Sequence, residues 1–141
     1  MRGLTIDEIQ VGDSATFEKT ITETDVYMYA GISGDINPAH INEEFMKKSM
    51  FKGRIVHGML TAGLVSAVLG NQLPGPGTIY LGQEIKFKAP VRFNDTVKAT
   101  VKVIEKLQEK NRLVLETICE NQEGTIVFSG KATVMPPTPT V

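Results

Sequence analysis

The stretch HGMLTAGLVSAVLG, from His57 to Gly70, constrains the fold of this chain more than any other. It has helical length and is apolar on nearly every face, and a helix apolar all round must be covered by the rest of its domain. Ala62, Gly63 and Ala67 keep it slim, which suits close packing of a sheet around it. The cover comes after the loop LPGPG, where the pattern changes to period two. In IYLGQEIKFKA, the residues Ile79, Leu81, Ile85, Phe87 and Ala89 fall on one face, with Glu84, Lys86 and Lys88 on the other. In TVKATVKVIEK, the residues Val97, Ala99, Val101 and Val103 alternate with Lys98, Thr100 and Lys102. The runs RLVLETICE and TIVFSGKATV follow, set off by turns at Arg92–Asp95, Gln108–Asn111 and Asn121–Gly124. Alternating runs joined by turns at this spacing predict an antiparallel meander.

Upstream, SATFEKTI reads as a first strand, Ser14 to about Ile21. Thr22 with Asp25 three residues later forms a capping-box pattern that starts a short helix, closed at Ser33-Gly34. The segment Asp35 to Asn42, with Pro38, reads as irregular, and EEFMKKS as a second short helix. One apolar helix followed by long antiparallel strands has a simple solution, in which the sheet curls around the helix. That is an α+β, hot-dog architecture. Residues 1–135 are expected to form this single domain. The proline-rich end 136–141 is expected to trail off as a flexible tail, because prolines cannot continue a ladder.

A chain of 141 residues buries roughly 70% of its unfolded surface on folding, enough to hold without a disulfide or metal. The net charge of -1, with no run of like charges, gives no sign of a nucleic-acid or membrane-surface binder. The single cysteine, Cys119, lies in an alternating run and reads as a core residue. No apolar run reaches the ~18 residues that span a bilayer, and MRGLTIDEIQVGD lacks a signal-peptide core. The default compartment is the cytoplasm.

Only two histidines occur, His40 and His57. His40 follows Asp35 by five residues in GDINPAH, the wrong spacing for one helical face. An irregular turn on a packed scaffold can still fold one side chain back toward the other, giving a carboxylate–imidazole pair. The alternative is that Asp35 caps a turn and His40 is structural. His57 is read as a capping or packing residue in preference to an acid or base. Gly58 lies at the helix start, where free N–H groups carry partial positive charge and absence of a side chain lets a carbonyl approach. A glycine serving only the turn fits equally well. Ser66 reads by default as a hydrophobic-core serine. No GxSxG elbow, Walker loop or GxGxxG follows a strand, and the prolines of LPGPGT remove N–H groups a phosphate would need.

YAGISGDINPAH, then GRIVHGMLTAGLVSAVLG and IYLGQEIKFKAPVRFNDTV, closely resemble the (R)-specific enoyl-CoA hydratases of the MaoC-like group. The resemblance runs from about Leu4 to Val134. It implies a hot-dog homodimer that interconverts trans-2-enoyl-CoA and (R)-3-hydroxyacyl-CoA without metal or cofactor. By position it implies Asp35 and His40 as a catalytic dyad and Gly58 as the thioester-binding amide. On the substrate side, Ser66 matches a serine of the active-site surroundings and Asn37 an asparagine that fixes the turn. Ala39 stands where a larger aliphatic residue is usual, and Met46 where a small one is usual, which leaves acyl-chain length open. Lys52, Arg54, Lys86, Lys88 and Arg92 either meet coenzyme A phosphates or form a solvated face. The same architecture also hosts acyl-CoA thioesterases, dehydratases of carrier-protein-linked 3-hydroxyacyl groups, and binding modules without turnover.

Overall fold

Five strands form one antiparallel sheet: β1 (Ser14–Thr20), β2 (Ile79–Phe87), β3 (Thr96–Leu107), β4 (Arg112–Glu120) and β5 (Ile126–Met135), in the order β1-β3-β4-β5-β2. The computed structural model describes residues 1–139. The sheet wraps α4 (Gly58–Asn71), as the hot-dog reading predicts. From α4 the side chains of Leu64, Val65, Val68 and Leu69 enter the core. The sheet meets them with Val97, Ala99, Val101 and Val103 of β3, the period-two face of the sequence, all fully buried. Leu113, Leu115 and Cys119 of β4 and Phe128, Ala132 and Val134 of β5 complete it. Each large aliphatic side chain so buried stabilises the fold by ~1.5–3 kcal/mol relative to exposure.

The first helix, α1 (Glu23–Ser33), forms as its capping pattern dictates. Thr22 Oγ1 accepts from the Asp25 N–H at 3.1 Å, and Asp25 Oδ2 accepts from the Thr22 N–H at 2.9 Å. Gly34 ends the helix in the left-handed region, φ 80°, where a glycine carries no Cβ penalty. The segment expected to be irregular contains a single helical turn, α2 (Pro38–Ile41). Its cause is local: Asn37 Oδ1 accepts from the Ala39 N–H at 3.0 Å, and Pro38 occupies the first helical position. Proline is disfavoured inside helices and favoured there, because its missing N–H has no helical partner. A second turn, α3 (Glu43–Met46), follows under an Asn42 cap.

Three further readings need correction. A β-bulge between Tyr80 and Gly82 puts Leu81 out of register, so the alternation expected from Ile79 through Phe87 breaks. Tyr80, Gln83, Ile85 and Phe87 stand opposite Val134, Ala132, Gly130 and Phe128, and Ile79, Tyr80, Leu81 and Phe87 are all exposed. The hydroxyl of Tyr80 donates to Gln83 Oε1, whose Nε2 donates to the buried Thr117 at 2.9 Å. At the chain end, Pro136 and Pro137 are buried, and the Asn111 side chain donates to the Pro136 carbonyl at 3.0 Å. These two prolines are packed against the body and are not a free tail; residues 140–141 lie outside the described residues. The apolar helix is also not covered all round, since Met59, Gly63, Ser66 and Gly70 form an exposed stripe.

On β5, Gly130 lies close against the β2 backbone. A Cβ on Gly130 would lie 1.8 Å from the Glu84 carbonyl oxygen. We expect Gly130→Ala to lower stability by about 1–3 kcal/mol through the forced backbone shift. Urea unfolding checks this; a midpoint equal to that of the unsubstituted chain would contradict the packing described.

Candidate active site

Between α1 and α4 the chain builds the site from two short pieces. The first runs through the Asp35 bend and α2; the second is the extended strip 55–57 that leads into α4. Ser33 Oγ accepts from the Asp35 N–H at 3.1 Å, and Asp35 Oδ1 accepts from the Asn37 N–H at 3.2 Å. Asn37 therefore both holds the Asp35 carboxylate and caps α2. The strip is tied to α2 in both directions. Ile55 N–H donates to the Ala39 carbonyl at 3.1 Å, and the His40 Nδ1 lies 2.7 Å from the Ile55 carbonyl. Val56 N–H donates to the Val91 carbonyl at 2.8 Å, which fixes the strip to the segment after β2.

A carbonyl only accepts, so the Ile55 contact makes Nδ1 the protonated nitrogen of His40. Nε2 is left without a partner among the described residues, available to a ligand in the cleft. The same logic applies to His57, whose Nε2 donates to the Asp35 carbonyl at 2.9 Å. Its ring stacks on His40 at 3.7 Å between centroids and 25° between planes, with Tyr29 tilted against it at 4.7 Å. Burial pushes the His57 pKa below the usual imidazole range; the hydrogen bond to Asp35 opposes this, and the neighbouring His40 adds to it. His57 is thus uncharged at neutral pH.

The side chains of Asp35, His40 and His57 bring one potential ligand atom each within 4.8 Å of one another. Sequence reasoning paired the first two across an irregular bend, and the structure brings them together. It read His57 as capping or packing. The ring makes no cap bond to its helix, is 1% exposed, and touches both members of the pair. No local pattern signals that role, because the contacts span 22 and 17 residues of chain. A metal would find one nitrogen of each ring already given to a carbonyl, leaving His40 Nε2, His57 Nδ1 and the carboxylate as its donors.

These groups open onto a cleft of about 530 Å³. Its walls are mostly apolar, with Met50, Phe51, Met59, Phe87, Val91 and Val127, and its polar groups converge at one end with Gly58. The N–H groups of Gly58 and Met59 meet no acceptor among the described residues, as the first turn of a helix requires. A side chain at Gly58 would place its Cβ 2.6 Å from the Phe87 ring, so glycine is demanded here by packing as well as by access. The site can polarise a carbonyl at the helix start while a carboxylate and an imidazole nitrogen address a neighbouring atom. Ser66 lies elsewhere, two turns along α4 on the exposed stripe and not among the cleft walls. Met46 is buried under α3 and also does not line the cleft. Of the basic residues singled out in the sequence, Lys88 borders the cleft. Arg54 is engaged by Glu23 and Glu43, and Arg92 by the carbonyls of Phe51 and Gly53. Both arginines, with Lys52, line a second depression of about 490 Å³ that shares Phe51 with the cleft. No helix among the described residues is long and apolar enough to cross a membrane.

Comparison with known proteins bears on the family and the fold. The family model described as MaoC like domain matches residues 8–123. The chain is 53% identical to an (R)-specific enoyl-CoA hydratase of Rhodospirillum rubrum, over 93% of this chain and 90% of that protein. It is 42% identical to a 3-hydroxybutyryl-CoA dehydratase of Methylorubrum extorquens, over 97% and 87% of the two chains. Among solved structures, an unliganded R-hydratase from Pseudomonas aeruginosa superposes with a TM-score of 0.90 at 42% identity, covering 96% of this chain and 87% of that one. An (R)-hydratase from Aeromonas caviae gives a TM-score of 0.88 at 40% identity, with 92% and 98% covered. The chain belongs to the MaoC-like dehydratase family.

Proposed function

We propose that this chain is an (R)-specific enoyl-CoA hydratase, a hydro-lyase that adds water reversibly to trans-2-enoyl-CoA to give (R)-3-hydroxyacyl-CoA. One observation carries the reading. The Asp35 carboxylate, the free Nε2 of His40 and the unpaired Gly58 amide all open on a single, largely apolar cleft. The apolar walls suit an acyl chain, and the helix start suits its thioester oxygen. With that oxygen held by the Gly58 N–H, the thioester draws electron density from the C2–C3 double bond. Water held between Asp35 and His40 then attacks C3. The carboxylate takes one proton from the water as the C3–O bond forms and returns it to C2 on the same face, while His40 Nε2 accepts a hydrogen bond from the water and orients it. One proton leaves the water and one reaches carbon, so the dyad ends as it began. Fixing one water against C3 supplies the orientation advantage.

Asn37 acts on the substrate side through the carboxylate that its N–H holds. Ser66 stands on the stripe that begins at Met59, a cleft wall, and an acyl chain passing Met59 would run along it. Asp35→Asn and His40→Gln, each still folded, are expected to lose at least about 10²-fold in kcat on crotonyl-CoA, followed by loss of enoyl absorbance. Retention of most of the turnover by either variant would remove it from the reaction. A thiol assay on the same samples separates hydration from thioester hydrolysis, since only hydrolysis releases free coenzyme A. Comparing a coenzyme A thioester with its carrier-protein counterpart decides between those two carriers.

The same surface supports a homodimer. β2 is nine residues long with one edge unpaired in this chain, and Ile79, Leu81 and Phe87 on it are exposed. A long apolar edge strand invites pairing with another copy. Beside it, the stripe Gly63, Ser66 and Gly70 lets a second helix approach closely. Apart from its chain neighbours and its own helix backbone, nothing among the described residues lies within 4 Å of a Cβ at Gly63, so Gly63→Glu is compatible with the single fold. We expect sedimentation to give a dimer for the unsubstituted chain and a monomer for Gly63→Glu; a monomer for both would contradict the assembly.

A further inference from the structure

His57 is a costly residue for its position. It is 1% exposed, and its Nδ1 has no hydrogen-bond partner among the described residues. A buried polar atom left unpaired is destabilising, so an apolar side chain would serve packing better. Helix capping does not account for it either, because the ring makes no bond to the first turn of α4. What the ring does is touch the other two functional side chains. Its Nε2–H holds the Asp35 main chain at 2.9 Å, and its face lies against His40 at 3.7 Å. The remaining hydrogen bonds of Asp35 are local, to Ser33 and Asn37, so the contact with His57 ties this exposed bend to the rest of the fold. The next residue is Gly58, whose amide addresses the thioester.

We propose that His57 is the positioning residue of this site, one ring that sets the Asp35 carboxylate, the His40 imidazole and the Gly58 amide in a single register. The proposal rests on the hydration reading above. His57 takes no proton in the cycle: its Nε2 is spent on a carbonyl, and its ring, 1% exposed, lies against His40 and Tyr29. Its lack of charge lets His40 handle a proton beside it without like-charge repulsion. Displacing either dyad member by about 1 Å costs on the order of 10²-fold in rate, which is the scale of effect a positioning group governs.

Two substitutions separate its two contacts. His57→Phe keeps a flat ring against His40 but loses the donor to Asp35; His57→Gln offers an amide N–H at similar reach. For folded His57→Phe we expect kcat on crotonyl-CoA to fall about 10²-fold, with KM changed less than about three-fold. His57→Gln is expected to recover at least about five-fold of that loss. The shape of the pH–rate profile should be unchanged in both. Near-normal kcat in His57→Phe, disappearance of one limb of the profile, or equal losses in both variants would each overturn the proposal. A second measurement does not depend on turnover. The chain has only two histidines, so long-range ¹⁵N–¹H correlations at neutral pH report both rings directly. We expect the Nε2–H tautomer for His57 and the Nδ1–H tautomer for His40. An Nδ1–H or doubly protonated His57 would overturn the positioning role even if the enzyme failed to hydrate any enoyl thioester. Expected tautomers in an inactive protein would instead fault the hydration reading.

Discussion

Two hydrogen bonds from imidazole to main-chain carbonyl hold the site together: His40 to Ile55 at 2.7 Å and His57 to Asp35 at 2.9 Å. They cross in opposite directions between the Asp35–His40 bend and the strip that leads into α4. Each one fixes a ring tautomer, and together they decide which nitrogen faces the cleft. Without them the bend would keep its own side-chain contacts and the Ile55 N–H bond to the Ala39 carbonyl, but neither ring would be fixed. With them it becomes a rigid extension of the buried helix, and the carboxylate is placed relative to the helix start through one short path.

The sheet makes that path stiff. α4 is anchored by Leu64, Val65, Val68 and Leu69 against strands whose inward residues are fully buried. The strip before it is tied to Val91, and Lys88 N–H to the Val127 carbonyl at 2.9 Å, so the cleft wall is continuous with β5. Binding energy at the thioester can therefore be used on orientation without being absorbed by movement of the scaffold. Met59 at the start of the exposed stripe and Phe87 at the end of β2 both line the cleft, so a second copy seated on these elements would bring its own surface near the substrate side.

Most of the fold was legible in the sequence because it is governed by local or periodic signals. Thr22, Asp25 and Gly34 bound α1 through contacts a few residues long, and the alternation in β3 has one answer once a face is buried. The failures have physical causes of the same scale. The segment Asp35 to Asn42, with Pro38, was read as irregular, whereas the Asn37 cap makes Pro38 the start of a helical turn. The single extra residue Leu81 flips the parity of β2, and no alternation pattern marks a bulge. In the site, Asp35 and His40 were legible as a chemically complementary pair on a turn, and Gly58 as a glycine at a helix start. The part played by His57 was not, since it depends on contacts between segments far apart in the chain. Ser66 is a residue whose surroundings within one chain differ from the core environment expected from an all-apolar helix.

A crystal structure with (R)-3-hydroxybutyryl-CoA bound would show whether the carboxylate, the imidazole and the helix-start amide act on one substrate. We expect the 3-hydroxyl oxygen within hydrogen-bond distance of both the Asp35 carboxylate and His40 Nε2, with the thioester oxygen at the Gly58 amide. A complex in which the thioester is held by other donors, with the 3-hydroxyl turned away from Asp35, would contradict it.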